Sequence, residues 1–174
     1  MGGTPTSPNL GYLAQQDQTL VLLGSLAEKY FTDDPSTSLL KLRQFAELLT
    51  NLIAAHHGLC DRTETTFEST LRRLSYDRML PKETADVFHQ LRRLGNAAAQ
   101  EISGTHAEAL TGLKLARQLG LWFYRTYAKQ PKFNAGPFVP PAKPIDATAS
   151  LTAEIEALRQ KVLDSEGVSH PRQT

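Results

Sequence analysis

The stretch PSTSLLKLRQFAELLTNLIAAHHG, residues 35–58, decides the fold class. Leu39, Leu42, Phe45, Ala46, Leu49, Leu52 and Ile53 recur three and four apart, which lays them along one wide apolar stripe of a helix. Pro35 suits a first helical turn, Asp34 can accept the free amides there, and Gly58 is a residue on which helices end. The spacing therefore predicts a helix from about Pro35 to His57, with a stripe that must be covered by other helices.

The flanking sequence supplies them. Towards the N-terminus, Asp17 can cap a helix reaching about Phe31, with Leu20, Leu23, Ala27 and Tyr30 at helical spacing. Towards the C-terminus, Phe67, Leu71 and Leu74 mark a short helix that stops before Pro81. Lys82 to Gln100 follows, with Val87, Leu91, Leu94 and Ala98 on one face. A fifth helix from about Thr105 to Lys129 carries Leu110, Leu113, Leu119, Trp122, Phe123 and Tyr127. No segment alternates between hairpin turns, so the expected fold is all-α, an antiparallel bundle of about five helices over residues 10–130.

Pro131, Pro137, Pro140, Pro141 and Pro144 then predict an extended linker over 131–149. Beyond it Leu151, Ile155, Leu158 and Val162 follow the four-three-four spacing of a coiled-coil seam, expected over 150–165. Residues 1–9 and 166–174 are expected to be disordered.

The 174 residues, 40% hydrophobic and 21% charged with a mean hydropathy of −0.34, suit one domain with tails. No apolar run approaches a membrane span, and Met1 to Pro8 carries no basic region followed by a hydrophobic stretch. The expected compartment is the cytoplasm, with no membrane partner. Cys60 is the single cysteine, which excludes an intrachain disulfide. His56 and His57 are adjacent and point about 100° apart on a helix, so they cannot chelate as an i, i+4 pair would. No metal and no cofactor are expected. The net charge of +1 is uneven, because residues 82–132 hold 8 basic and 4 acidic side chains while 1–81 hold 7 and 9. Any polyanion surface belongs to that middle segment.

The run from Phe88 to Glu101 has the most chemical content. Arg93, Asn96 and Gln100 share a stripe at i, i+3 and i+7, with Arg92 beside Asn96 at i+4, so guanidinium and amide groups line one face. Gly95 and three neighbouring alanines thin the helix enough for a neighbouring backbone to come close. Lys114, Arg117 and Arg125 form a second basic stripe on the fifth helix, continued by Lys129 and Lys132. Arg43 and Glu47 form either a surface i, i+4 pair or part of an internal network in which Arg43 reaches Asn96.

Leu39 to Glu47, Phe88 to Glu101 and Leu113 to Tyr124 together resemble the helical domain of unknown function at the N-terminus of many type I restriction-enzyme R subunits and related DEAD/DEAH helicases. The resemblance covers roughly residues 10–165, and in that family a Pro-rich linker and a coiled coil follow in the same order. It implies a non-catalytic docking or regulatory domain of a motor and nuclease subunit that restricts foreign DNA. The implied partners are other domains or subunits of such a complex.

That domain is in turn similar to the HEPN superfamily, whose ribonucleases carry an Arg, four to six residues, then a His. After Arg93 and six intervening residues stands Gln100, whose amide can neither take nor give a proton near neutral pH. The resemblance therefore implies no catalytic residue here, and neither His89 nor His106 has the family position. Two alternatives stand beside this reading. One is a HEPN-like ribonuclease with Arg92, Arg93 and Asn96 on phosphate. The other is a nucleic-acid-binding domain of a defence or toxin-antitoxin system working through Lys114, Arg117 and Arg125. A homodimer through the helices or the coiled coil is a further open partner, and no nucleotide-binding loop is present in the sequence.

Overall fold

The computed structural model describes residues 4–59, 66–101, 104–142 and 147–168. Cys60, together with residues 1–3, 143–146 and 169–174 of the expected tails and linker, lies outside the described residues. Among the described residues there are six α-helices: α1 (Gln18–Tyr30), α2 (Pro35–His56), α3 (Phe67–Tyr76), α4 (Lys82–Glu101), α5 (His106–Tyr127) and α6 (Ala147–Val168). No strand occurs among the described residues, so the chain is all-α. None of these helices is long and apolar enough to cross a membrane.

The caps explain the boundaries. Asp17 accepts from the Thr19 amide at 2.7 Å, and Asp34 accepts from the Thr37 amide at 3.0 Å. The hydrogen bonds of the Thr37 hydroxyl and amide hold the Asp34 carboxyl below its ordinary range. Thr66 and Ser69 close a reciprocal capping box on α3, and Thr105 accepts from the Glu108 amide, which makes Thr105 the cap of α5 and not its first residue. After α2 the chain turns through Gly58 at φ 70°, a left-handed conformation that suits glycine.

α2 is the axis of the bundle, in contact with α1, α3, α4 and α5. Leu39, Leu42, Phe45, Ala46, Leu49 and Ile53 are all buried, and around them pack Leu20 of α1, Leu71 of α3, Phe88 of α4 and Phe123 of α5. Leu52 is only partly buried and marks the edge of the stripe.

The expected disordered start does not extend to residues 7–9. Ser7 and Asn9 are buried, and both donate to the Glu28 carboxylate of α1, Asn9 at 3.1 Å. Burial raises the Glu28 carboxyl above its ordinary value, and these two hydrogen bonds work against that rise. A short 3₁₀ turn at Gly11–Leu13 then sets Leu10 and Leu13 into the core.

The first part of the Pro-rich segment, through residue 142, holds no helix or strand and is tied to the bundle. The Asn9 side chain pairs with the Val139 backbone in both directions, each hydrogen bond 2.8 Å long. Thr32 donates to the Ala142 carbonyl at 3.0 Å. The Phe133 ring packs on Tyr12 and Tyr124, with ring centres 5.2 and 4.5 Å apart. Asn9→Ala should therefore raise the exchange rate of the Val139 amide by about tenfold or more, since its acceptor is lost, while amides in the middle of α2 change much less. Hydrogen exchange resolved by residue reads this directly, and an unchanged Val139 amide would show that the segment is held elsewhere.

The helix α6 belongs to a separate unit and runs three residues past each end of the 150–165 expected for the seam. Its described side chains, from Leu151 to Ser165, are exposed.

Candidate functional site

The donor-rich run of α4 divides between two faces. On the face towards α2, Arg43 Nε donates to Asn96 Oδ1 at 2.7 Å. Its terminal nitrogen lies 3.6 Å from Glu47, and its guanidinium sits 5.9 Å from the centre of the Phe67 ring. Both alternatives for Arg43 thus hold at once, the i, i+4 pair and the link to Asn96. Gly95 makes the link fit, because a Cβ placed there would come 2.4 Å from Arg43 Cβ and 2.8 Å from Arg43 Cδ. The close neighbour expected at Gly95 is therefore the stem of an arginine rather than a backbone.

The two contacts of Arg43 carry different weights. The Glu47 pair is about one-third exposed on both sides and contributes roughly 0.2–1 kcal/mol. The charged hydrogen bond to half-buried Asn96 contributes more. Arg43→Ala is expected to lower stability by about 1–2 kcal/mol, a fall of roughly 3–8 °C in Tm, with Glu47→Ala well below half of that. Calorimetry of both variants checks the ranking, and an Arg43→Ala shift within noise would exclude the internal link.

Arg92 leaves the stripe that the helical spacing assigns to it. Its Nη1 lies 3.9 Å from Glu68 of α3, a carboxylate that also accepts from Arg72 at 3.1 Å, and its Nε is buried. Arg93 is exposed and lines a shallow groove with Gln90, Leu94, Thr111 and Leu115, between α4 and α5. Gln100 is exposed at the far end of the helix. Arg92, Arg93, Asn96 and Gln100 thus do not converge on one point, since Arg92 turns to α3 and Asn96 to α2.

The histidines are placed differently again. His106 Nε2 lies 2.9 Å from the Thr32 carbonyl and packs edge-on against Phe31, so it ties the start of α5 to the end of α1. Burial, then the nearby Arg92 and Arg93, hold His89 below its ordinary value, against the opposing charges of Asp86 and Glu68. A neutral imidazole at His89 can accept a proton. Phosphodiester cleavage also needs an acid for the leaving oxygen, and Gln100 cannot serve as one. His57 meets the Tyr127 hydroxyl at 2.9 Å, and His56 stacks on the same ring at 4.7 Å. Among the described residues no three His, Cys, Asp or Glu side chains group as metal ligands.

The basic stripe of α5 is largely engaged by the chain itself. Arg117 donates to the Gly136 carbonyl, Arg125 Nε donates to the Phe133 carbonyl at 2.9 Å, and Lys114 lies 5.9 Å from the Phe138 ring centre. These three contacts make a clamp on residues 133–138. Carbonyl oxygens satisfy guanidinium donors without any side-chain signal, which is why sequence spacing could not show it. Glu68 as the partner of Arg92 was equally missed, and only its local i, i+4 relation to Arg72 is visible in the sequence.

Residues 25–135 match the family model described as a domain of unknown function (DUF4145). The chain is 28% identical over 183 residues to the type I restriction enzyme EcoKI endonuclease subunit of Escherichia coli (strain K12), a match that takes in 91% of this chain and 15% of that protein. The chain thus spans only a small part of the length of this relative. No solved structure matches the chain. Because the family model spans well over half of the sequence, from the middle of α1 through the clamp on α5, this chain belongs to the DUF4145 family.

Proposed function

We propose that this chain is a non-catalytic docking or regulatory domain of a type I restriction enzyme's motor and nuclease subunit, or of a related ATP-dependent helicase, and that it acts in restriction of foreign DNA. The observation that carries the reading is the match along 91% of the chain to the EcoKI endonuclease subunit. The geometry supports the non-catalytic half. Arg43 and Asn96 bond to each other, Arg117 and Arg125 hold backbone carbonyls, His106 meets a backbone carbonyl, and Gln100 carries no titratable proton. Polar groups bonded to internal partners serve to position the helices, which favours a structural part for them.

The partners in this reading are other domains or subunits of the restriction complex, and the protein works in the cytoplasm without cofactor or metal of its own. The test has two arms. The purified chain and its Gln100→His variant are incubated with single-stranded RNA and with duplex DNA, and the tagged chain is mixed with the remaining purified parts of the restriction enzyme. The reading expects no cleavage by the parent chain and saturable co-purification with those parts. Cleavage of RNA by the parent chain would overturn it in favour of a HEPN-like ribonuclease, and salt-sensitive duplex binding without co-purification would favour a nucleic-acid-binding domain.

A further inference from the structure

We infer that α6 is the self-association element of this protein, pairing with α6 of a second copy as a parallel, in-register coiled coil. α6 is 22 residues long, about 33 Å at 1.5 Å per residue, and from Leu151 to Ser165 all of its side chains are exposed. Leu151, Ile155, Leu158 and Val162 are 58%, 45%, 58% and 56% exposed, which leaves a continuous apolar row facing solvent. Such a row needs an occupant, and the residue types along it select one.

With Ile155 and Val162 at the a positions, Leu151 and Leu158 fall at d. β-Branched residues at a with leucine at d is the combination that favours two parallel strands. The flanking charges agree with a second copy. Glu154 is then at g and Arg159 at the following e, so in a parallel pair each Glu154 faces the Arg159 of the other chain, five residues on. In the sequence Lys161 and Glu166 stand in the same g-to-e relation with the signs exchanged. Both relations are attractive between identical chains, so a partner of different sequence is not needed to satisfy them. The seam has four apolar layers, which makes the association concentration-dependent, with a Kd of about 1 μM to 1 mM.

The experiment uses the whole 174-residue chain. Sedimentation equilibrium from about 5 to 500 μM should show a monomer–dimer equilibrium. Ile155→Asp should weaken it at least tenfold while leaving the melting of the bundle unchanged. Glu154→Arg alone should weaken it, and Glu154→Arg combined with Arg159→Glu should restore it. Orientation is read in a Cys60→Ser background. Leu158→Cys, at a d position where two parallel helices bring like residues within disulfide reach, should form a covalent dimer on oxidation, whereas Gln160→Cys on the outer face should not. A chain that stays monomeric throughout this range overturns the proposal, as do equal cross-linking at both positions and a dimer indifferent to Ile155→Asp.

Discussion

Phe45→Ala is expected to lower the unfolding free energy of the bundle by about 3–5 kcal/mol, well beyond the effect of truncating any surface side chain. Phe45 has no exposed surface and lies near the middle of α2, the helix that touches α1, α3, α4 and α5. Removing its ring deletes apolar contact in the interior and leaves a cavity which the surrounding rods cannot close without shifting together. A domain of this size has a total stability of about 5–15 kcal/mol, so the loss consumes a large share of it. Leu22, which is 42% exposed on α1, is the internal control, and Leu22→Ala should cost under about 1 kcal/mol. Urea unfolding of both variants measures the contrast. A Phe45→Ala loss no larger than that of Leu22→Ala would mean that α2 is not the axis of the core.

Gly95→Ala is the second, and its sign is the informative part. Helix propensity alone favours alanine over glycine inside α4 by about 1 kcal/mol. Against this, the new Cβ would sit 2.4 Å from Arg43 Cβ, an atom fixed to the backbone of α2 and unable to swing away like the end of a side chain. α2 and α4 must separate or the Arg43–Asn96 hydrogen bond must break, a cost of about 1–3 kcal/mol by overpacking. The clash outweighs propensity, so Gly95→Ala should destabilise, and Gly95→Val should do so more strongly. Combining Gly95→Ala with Arg43→Gly removes the obstructing Cβ, so the pair should be non-additive, with the double variant more stable than the sum of the singles predicts. A stabilised Gly95→Ala would show that the two helices do not approach as described.

These two positions also show what was readable in the residues. The stripe of α2 is a local pattern, and so are the caps at Asp17 and Asp34, because a helix buries its own i, i+3 and i+4 neighbours together. Helical order and approximate boundaries followed from that alone. The link from Arg43 to Asn96 was open in the sequence as one of two alternatives, since both residues lie on apolar-flanked helices, and the short Gly95 side of α4 hinted at a close neighbour. What escaped was held by long-range or backbone contacts. Ser7 and Asn9 look like an unstructured start until Glu28 is brought to them, and the spacing of Arg117 and Arg125 gives no sign of the Gly136 and Phe133 carbonyls that accept from them. Arg92 and Glu68 belong to different helices, and no periodicity relates them.

The clamp changes how the α5 cations should be understood. The Gly136 and Phe133 carbonyls each take one of the five N–H donors of Arg117 and Arg125, so the clamp sets the direction of these guanidiniums without using up their donors. In the docking reading the clamp fixes where residues 133–142 leave the bundle.

The most direct measurement is restriction by the complete enzyme whose motor and nuclease subunit lacks residues 10–130 of this region. If the domain docks the subunit without taking part in cleavage, the truncated subunit should lose assembly with its partners and restriction of foreign DNA together, while keeping its ATP hydrolysis. Full assembly and undiminished restriction by the truncated enzyme would contradict the account.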